Sequence, residues 1–508
     1  MKPAFVTCGA ALVLSALLTA FAFWWRRRRY AAAFRVDPRR DDSLHCRADH
    51  QVVAISIEPD GFELSSTLRS ARQTAFLGLD VRATMTGALV DPFIEVSFGT
   101  TTYRQYFERG VSGRRHLNLS PVFHEFREPR GDASAMRIHL RGGSISWSRS
   151  GTLALFDCPR LESVTTLVLA PHPDDAEIAA FGMYSGTPSW VATVTAGDEG
   201  MPDLSAVTAS GAIAARWGAL MRVRDSLTIP QLGNVPMERC LNLVYPDGHL
   251  REMHRRSARP VMLTCEATLS RVSLRAMNRS TEFRGGDPSC SWKGLVDDMR
   301  LLLEKTNPEI VICPHPLLDA HDDHIFTTVA IEEAGRDAKR NDRLFFLYAV
   351  HHRHSPLYPF GPAGGWVSVP PWTDSEWVAD SIYSHPLTPD ARIAKYFAVD
   401  AAHGLRTYSD GEPRTFKQTL RAIRREVGAY GSGIGLTAGS FLRRAPRPNE
   451  MYYVVSAESL TALVKRALVH HHTDRNECSA CRRGQDVARP QAGARPRSPL
   501  QVASARGL

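Results

Sequence analysis

The chain has 508 residues, too many for one ordinary domain, and its 43% apolar and 23% charged content is that of a protein that mostly folds. Its formal charge of +9 sits at the ends: residues 1–45 hold eight Lys/Arg against three acids, and residues 466–508 hold eight Arg against three acids. A near-neutral body with basic ends excludes a long basic groove, so no nucleic-acid partner is expected. Nine cysteines, odd in number and scattered, exclude a disulfide framework.

Taken in chain order, the first element is the uncharged apolar stretch Pro3 to Trp25, followed at once by Arg26–Arg29. It is long enough to span a bilayer as a helix, and the arginines place the bulk of the chain on the cytoplasmic side. A single-pass transmembrane anchor over 1–29 and a basic linker over 30–47 are therefore expected. The alternative is an exported protein with a cleaved signal peptide, for which Ala20-Phe21-Ala22 offers a cleavage site.

From 48 to 158 short alternating runs such as VVAISI, PFIEVSFGT and TLALFD are broken by Gly, Asp-Pro and Arg-Gly. That pattern predicts a small all-β sandwich, with Tyr103, Tyr106, Phe107 and Trp147 read as core or cross-strand pairs ahead of a sugar-stacking face.

After residue 160 the pattern changes. VTTLVLA (164–170) is a continuous β-branched run, as a buried parallel strand requires. A helix over 177–184, the strand WVATVT (190–195) and a helix over 212–227 capped by Ser210 follow. Next come a helix over 292–305, the strand EIVIC (309–313) and a strand over 344–350. This alternation predicts an α/β fold, a doubly wound (Rossmann-like) mostly parallel sheet, spanning 160–457. A basic helix over 415–431 and a strand over 451–455 close it, and 458–508 reads as a disordered basic tail. In that tail Cys478-x-x-Cys481 beside His470-His471-His472 lacks a second ligand pair and reads as tail, not a zinc site.

Two polar clusters follow predicted strand ends, where parallel sheets place their ligands. Pro171-His172-Pro173-Asp174-Asp175 follows the first strand, and His321-Asp322-Asp323-His324 comes soon after EIVIC. Imidazole with carboxylate and no thiolate suits Zn²⁺, with Fe²⁺ as the alternative. His172, Asp175 and His324 would hold the metal, leaving Asp174 as general base and His321 as general acid. Glu177 would support the first cluster at a helix start, and His351 and His352 end a strand on the same rim.

VLAPHPDDAEIAAFG resembles the signature of the PIG-L/LmbE-like zinc-dependent N-acetylglucosaminyl deacetylases. The family's second motif is His-Pro-Asp-His. Here Asp322 replaces the proline, a departure that touches no proposed ligand. Supporting matches are Thr195 to Gly200, the pair Arg222 and Asp225, and Tyr245-Pro246-Asp247-Gly248, with an unusually long stretch at 250–290. The resemblance implies that Asp174 deprotonates water and that His321 protonates the departing amine or stabilises the oxyanion, with Asp323 tuning it. It further implies that Arg222 and Asp247 contact the sugar or a flanking phosphate. The expected function is removal of an N-acetyl group from a GlcNAc-type amino sugar, lipid-linked or nucleotide-linked, in envelope glycan or glycolipid synthesis. A soluble metabolite as substrate, or an inactive glycan-binding scaffold, are the alternatives. Oligomeric state is not encoded in these motifs.

Overall fold

A computed structural model describes residues 37–470 apart from 45, 48–49, 66–67, 69–73, 125–135, 158–160, 162, 200–207, 209, 257–259, 287, 337–341, 372–377 and 406–440, and before residue 37 only 15, 20, 21, 24, 25, 28 and 30. The basic helix expected over 415–431 and the Cys478-x-x-Cys481 pair lie outside the described residues, as does most of Pro3 to Trp25. Residues 1–464 form one compact unit and 465–508 another.

The first eight strands are β1 (Gln51–Ser56), β2 (Gly61–Leu64), β3 (Thr74–Ala83), β4 (Phe93–Phe98), β5 (Thr101–Tyr106), β6 (Ser112–Asn118), β7 (Met136–Gly143) and β8 (Ile145–Phe156). They make two antiparallel four-stranded sheets, ordered β1-β8-β3-β6 and β2-β7-β4-β5. Strand alternation builds the core between them: on β4, Ile94, Val96 and Phe98 are buried while Phe93, Glu95 and Ser97 are half-exposed. Tyr103 and Phe107 belong to this core, and the Tyr103 hydroxyl donates to the Asn118 carbonyl at 2.7 Å. Trp147 packs against the same core, so the four aromatics present no common sugar-stacking face.

The remaining strands are β9 (Thr166–Ala170), β10 (Ser189–Thr195), β11 (Cys240–Tyr245), β12 (Ile310–Pro314), β13 (Leu344–Tyr348), β14 (Ser381–Pro386) and β15 (Asn449–Ser456). They form one seven-stranded sheet ordered β11-β10-β9-β12-β13-β15-β14. The helices that matter here are α1 (Asp175–Gly186), α2 (Gly211–Thr228), α3 (Leu250–Arg255), α4 (Arg271–Arg275), α5 (Trp292–Thr306), α6 (Asp322–Gly335) and α7 (Pro389–Ala401). Local signals set several of their ends. Ser210 caps α2 by accepting from the Ile213 amide at 3.4 Å, and Ser291 caps α5 through Gly294 at 3.1 Å. Asn307, at φ 40°, closes α5 in the left-handed conformation, and Pro308 follows.

Two expectations are corrected. The sheet is mixed: β15 pairs antiparallel with both β13 and β14, whereas the five strands from β11 to β13 are parallel. β14 takes the far edge in the same sense as β13, and β15, last in the chain, fills the gap between them in the opposite sense. The single-pass membrane anchor is overturned as well. Among the described residues no helix is long and apolar enough to cross a membrane. Just beyond that stretch, Tyr30 is buried, its hydroxyl accepting from the Arg109 amide at 3.1 Å and its ring lying under the Arg109 guanidinium. The cytoplasmic, membrane-tethered placement drawn from the anchor falls with it.

The topology positions the site. From β9 the chain builds outward through β10 to β11, then crosses back to place β12 on the other side of β9. The carboxyl ends of β9 and β12 therefore flank the switch point of the sheet, where such folds bind ligands.

Candidate metal centre

Both polar clusters leave those two strand ends. β9 is buried at all five positions and runs into Pro171, and His172 to Asp175 turn directly into α1. β12 ends at Pro314, and a short loop delivers His321 to the start of α6, so that His324 lies in its first turn. His172 Nδ1 lies 3.1 Å from Asp175 Oδ2 and 3.3 Å from His324 Nε2, and His324 Nε2 lies 3.1 Å from Asp175 Oδ2. Ligands held 2.0–2.1 Å from a tetrahedral zinc stand about 3.3–3.4 Å apart, so this triangle has the dimensions of a zinc face.

The other ring nitrogens are also held. His172 Nε2 is 3.1 Å from Asp247 Oδ1 and 3.2 Å from Asp323 Oδ2, and His324 Nδ1 is 3.0 Å from Asp319 Oδ2. A carboxylate behind each imidazole fixes its ring and raises its basicity as a ligand. Asp319 also accepts from the backbone amides of His321, Val350 and His351, which pins the loop it stands on. Asp323 accepts from the Gly248 amide at 2.6 Å and the Leu250 amide at 3.0 Å. Gly248 has φ 76°, a conformation open to glycine at little cost, and this lets its amide face Asp323.

Other donors cluster closely enough to share a metal. Among the described residues three groups bring their donor atoms within 4.8 Å: His172, His321 and His324; Asp175, His324 and His351; and His172, Asp247 and Asp323. His172 and His324 each recur in two of these groups, and with Asp175 their donor atoms lie within 3.3 Å of one another.

The electrostatics call for a cation. Five buried carboxylates, Asp174, Asp175, Asp247, Asp319 and Asp323, converge on two buried imidazoles and the Arg222 guanidinium. Left unneutralised such a cluster is costly. In the metal-free chain protons answer the need. Burial disfavours the charged form of His324, yet Asp175 and Asp319 push its pKa up to about 10. His172 is likewise raised well above the ordinary value, burial being outweighed by Asp175, Asp247 and Asp323. Asp247 is held low: burial opposes this, and the bond and charge of His172, with Arg222, outweigh it. A divalent ion would replace those protons, and the thiolate-free donor set suits Zn²⁺ or Fe²⁺.

The remaining expected residues fall around this triangle. Asp174 precedes α1, and its Oδ2 accepts from Arg222 Nη1 at 3.0 Å. Arg222 is buried at 4% exposure, threaded past Gly404, where a Cβ would collide with its guanidinium. Its observed partner is thus the candidate base. Asp225 turns away to pair with His403 at 2.8 Å. Asp247 contacts a candidate ligand histidine instead of the rim. The His321 ring lies 4.7 Å from the His172 ring, and its Nδ1 accepts the Asp323 amide at 3.2 Å. Neutral His321 therefore carries its proton on Nε2. Burial and the charges of His172 and His324 lower its pKa, which favours that neutral form. Glu177 is buried behind Asp174 and Asp175, and burial with their charges raises its pKa to about 8.

Asp198 is noted in the sequence only within the supporting stretch Thr195 to Gly200; in the structure its Oδ1 accepts the Asp247 amide at 3.0 Å. Asp319 sits in the loop ahead of the second motif, with no spacing that marks it as a partner of His324. His351 does reach the site, its ring 5.1 Å from that of His324. His352 is buried beneath the rim against Tyr358.

Residues 167–335 match the PIG-L family, described as GlcNAc-PI de-N-acetylase, so the resemblance drawn from the two motifs holds for that segment. No curated protein matches the chain. Solved structures similar to it include the pseudoaglycone deacetylase Dbv21, at 16% identity and TM-score 0.32, covering 57% of this chain and 96% of that one. The zinc-inhibited form of the teicoplanin deacetylase Orf2 is 16% identical with TM-score 0.29, covering 57% and 98%. GalB, a 4-carboxy-2-hydroxymuconate hydratase from Pseudomonas putida, is 13% identical with TM-score 0.29, covering 58% and 95%.

Proposed function

We propose that the chain is a metal-dependent deacetylase that hydrolyses the N-acetyl group of a GlcNAc-type amino sugar. The observation that carries this reading is the closed triangle of His172, Asp175 and His324, with Asp174 and His321 beside it, inside the segment that matches a de-N-acetylase family.

A zinc ion held by those three side chains would supply a Lewis acid toward water and the acetamide carbonyl; Fe²⁺ suits the same donors. Asp174, fixed by Arg222, takes a proton from the attacking water as its oxygen bonds to the carbonyl carbon. His321 directs its Nε2 proton toward the oxygen that gains charge. The carbon–nitrogen bond then breaks as the sugar amine takes the proton that Asp174 received, and the acetic acid released gives its remaining proton to the amine, leaving acetate and the ammonium form of the sugar. Asp323 orients His321 through its amide, and Asp247 with Asp323 orients His172.

The family description names a GlcNAc carried on phosphatidylinositol, which supports a lipid-linked sugar ahead of a nucleotide-linked or free one. The test compares acetate release from GlcNAc-phosphatidylinositol, a nucleotide-linked GlcNAc and free GlcNAc, alongside metal analysis of the purified chain. The expected result is bound zinc or iron and fastest turnover of the lipid-linked substrate. Turnover of the free sugar alone would sink the lipid-linked version. Acetate release that is unchanged by Asp174→Ala would sink the hydrolytic reading itself.

A further inference from the structure

β11 carries a flaw beside the site. Its pairing with β10 runs Thr193 to Asn242 and then Thr195 to Tyr245, so β11 holds one extra residue between those pairs. That is a β-bulge, a device that re-aims the residues after it. Within it Val244 stands at φ 58°, and for a β-branched residue this left-handed conformation is a true outlier that persists only where its surroundings enforce it.

The surroundings are the long stretch after residue 249. Asn242 Oδ1 accepts the Val244 amide at 2.8 Å, and Asn242 is itself held by Asn278 through Oδ1 at 2.8 Å and Nδ2 at 2.9 Å. Arg271, on α4 and 1% exposed, donates from Nε to the Val244 carbonyl and from Nη2 to the Leu243 carbonyl, both at 3.0 Å. Asp298 on α5 anchors Arg271 at 3.2 Å and Arg275 at 2.6 Å, and accepts the Tyr245 hydroxyl at 2.6 Å. The Arg271 guanidinium also covers the Tyr245 ring at 4.3 Å. Arg271 thus takes both carbonyls of the bulge, with Arg275 Nη1 also reaching that of Leu243 at 3.5 Å. Beyond the bulge the chain places Asp247 on His172 at 3.1 Å and the Gly248 amide on Asp323 at 2.6 Å.

We propose that Arg271, anchored by Asp298, is a positioning residue for the metal centre: it locks Val244 in the left-handed conformation, and so sets the turn that delivers Asp247 to His172. This rests on the reading of His172, Asp175 and His324 as zinc ligands. It gives the 250–290 stretch a role in shaping the metal site, separate from any contact with substrate.

The test is zinc affinity of the full chain, read by chelator competition, in a set of double variants. Arg271→Met is made in three backgrounds: Val244, Val244→Ala and Val244→Gly. Alanine keeps the Cβ that disfavours the left-handed conformation, whereas glycine removes that penalty. The expected result is a loss of about tenfold in zinc affinity from Arg271→Met with valine or alanine at 244, and less than threefold with glycine. Equal losses in all three backgrounds, or no loss with valine, would overturn the proposal. Should Arg271→Met fail to fold, Arg271→Lys keeps a charge on Asp298, loses the bond to the Val244 carbonyl and is expected to give the same pattern. Acetate release is not read here, so a chain that binds zinc with this pattern and releases no acetate fails only the hydrolytic reading. A wild-type chain that takes up no zinc overturns the ligand assignment and this proposal together.

Discussion

Arg222 Nη1 and Asp174 Oδ2 meet at 3.0 Å with both side chains almost fully buried, which ties the candidate base to a guanidinium at the floor of the site. An arginine that contacted the sugar and one that holds the base make different kinetic demands. Losing a sugar contact raises KM, whereas losing the partner of the base lowers kcat. Arg222→Met is therefore expected to lower kcat on an N-acetyl amino sugar by roughly 10²- to 10⁴-fold, with KM moving by less than about threefold. Arg222→Lys should recover part of kcat, since it restores the charge without the planar fork. A variant with raised KM and unchanged kcat would return Arg222 to the sugar.

Asp247 makes a parallel case, because its carboxylate meets His172 Nε2 at 3.1 Å. A carboxylate behind a ligand histidine is felt through the metal, and its loss costs about 10- to 100-fold in metal affinity. Asp247→Asn is expected to weaken zinc binding by that factor, and saturating zinc should restore most of the activity. Unchanged zinc affinity together with a raised KM would assign Asp247 to substrate instead.

How much of this was legible in the sequence follows from what each element encodes locally. VTTLVLA and EIVIC announce themselves because strands buried on both faces need unbroken apolar runs. Since one motif directly follows such a strand and the other comes one short loop after its strand, the site could be placed before its geometry was known. β14 was not legible: Ser381–Pro386 reads SIYSHP, with polar residues and a terminal proline that suit an edge, and nothing local says that β15 will return antiparallel beside it. Arg222 and Asp247 were found as residues and given other partners, because which group a buried side chain meets depends on packing between distant segments. Val244 was illegible for the same reason, since no valine signals a left-handed backbone by itself. The reading of Pro3 to Trp25 as a membrane span rested on composition alone, and composition does not carry the fold.

Zinc uptake should be coupled to proton release. In the metal-free chain His324 is held up to about pKa 10 and His172 is raised as well, burial being outweighed in both by neighbouring carboxylates. A ligand imidazole must be neutral at the nitrogen that binds, so at pH 7 the metal has to displace at least one proton. Apparent zinc affinity is expected to rise about tenfold per pH unit for each proton released between pH 6 and 9. Titration calorimetry in buffers of different ionisation heat counts those protons directly. A count of zero at pH 7 would show that the two histidines are neutral before metal arrives.

Glu177 gives a stability signature of opposite direction. Burial, reinforced by the charges of Asp174 and Asp175, raises its pKa from the ordinary 4.5 to about 8, and the Tyr184 hydroxyl bonds its Oε1 at 3.2 Å. A carboxyl whose folded pKa is raised adds stability that is fully present below about pH 4.5 and is lost as pH rises through about 8. In the metal-free chain, wild type should therefore lose stability relative to Glu177→Gln across that window, by on the order of 3–5 kcal/mol in all, and the difference should level off above it. Urea unfolding of the two chains at half-unit steps of pH, with a chelator present, measures this. Parallel profiles for the two chains would mean that Glu177 ionises normally in the folded state. Repeating the series with zinc should shrink the difference, because a cation at His172, Asp175 and His324 favours the ionised carboxylates nearby and draws the pKa of Glu177 back down.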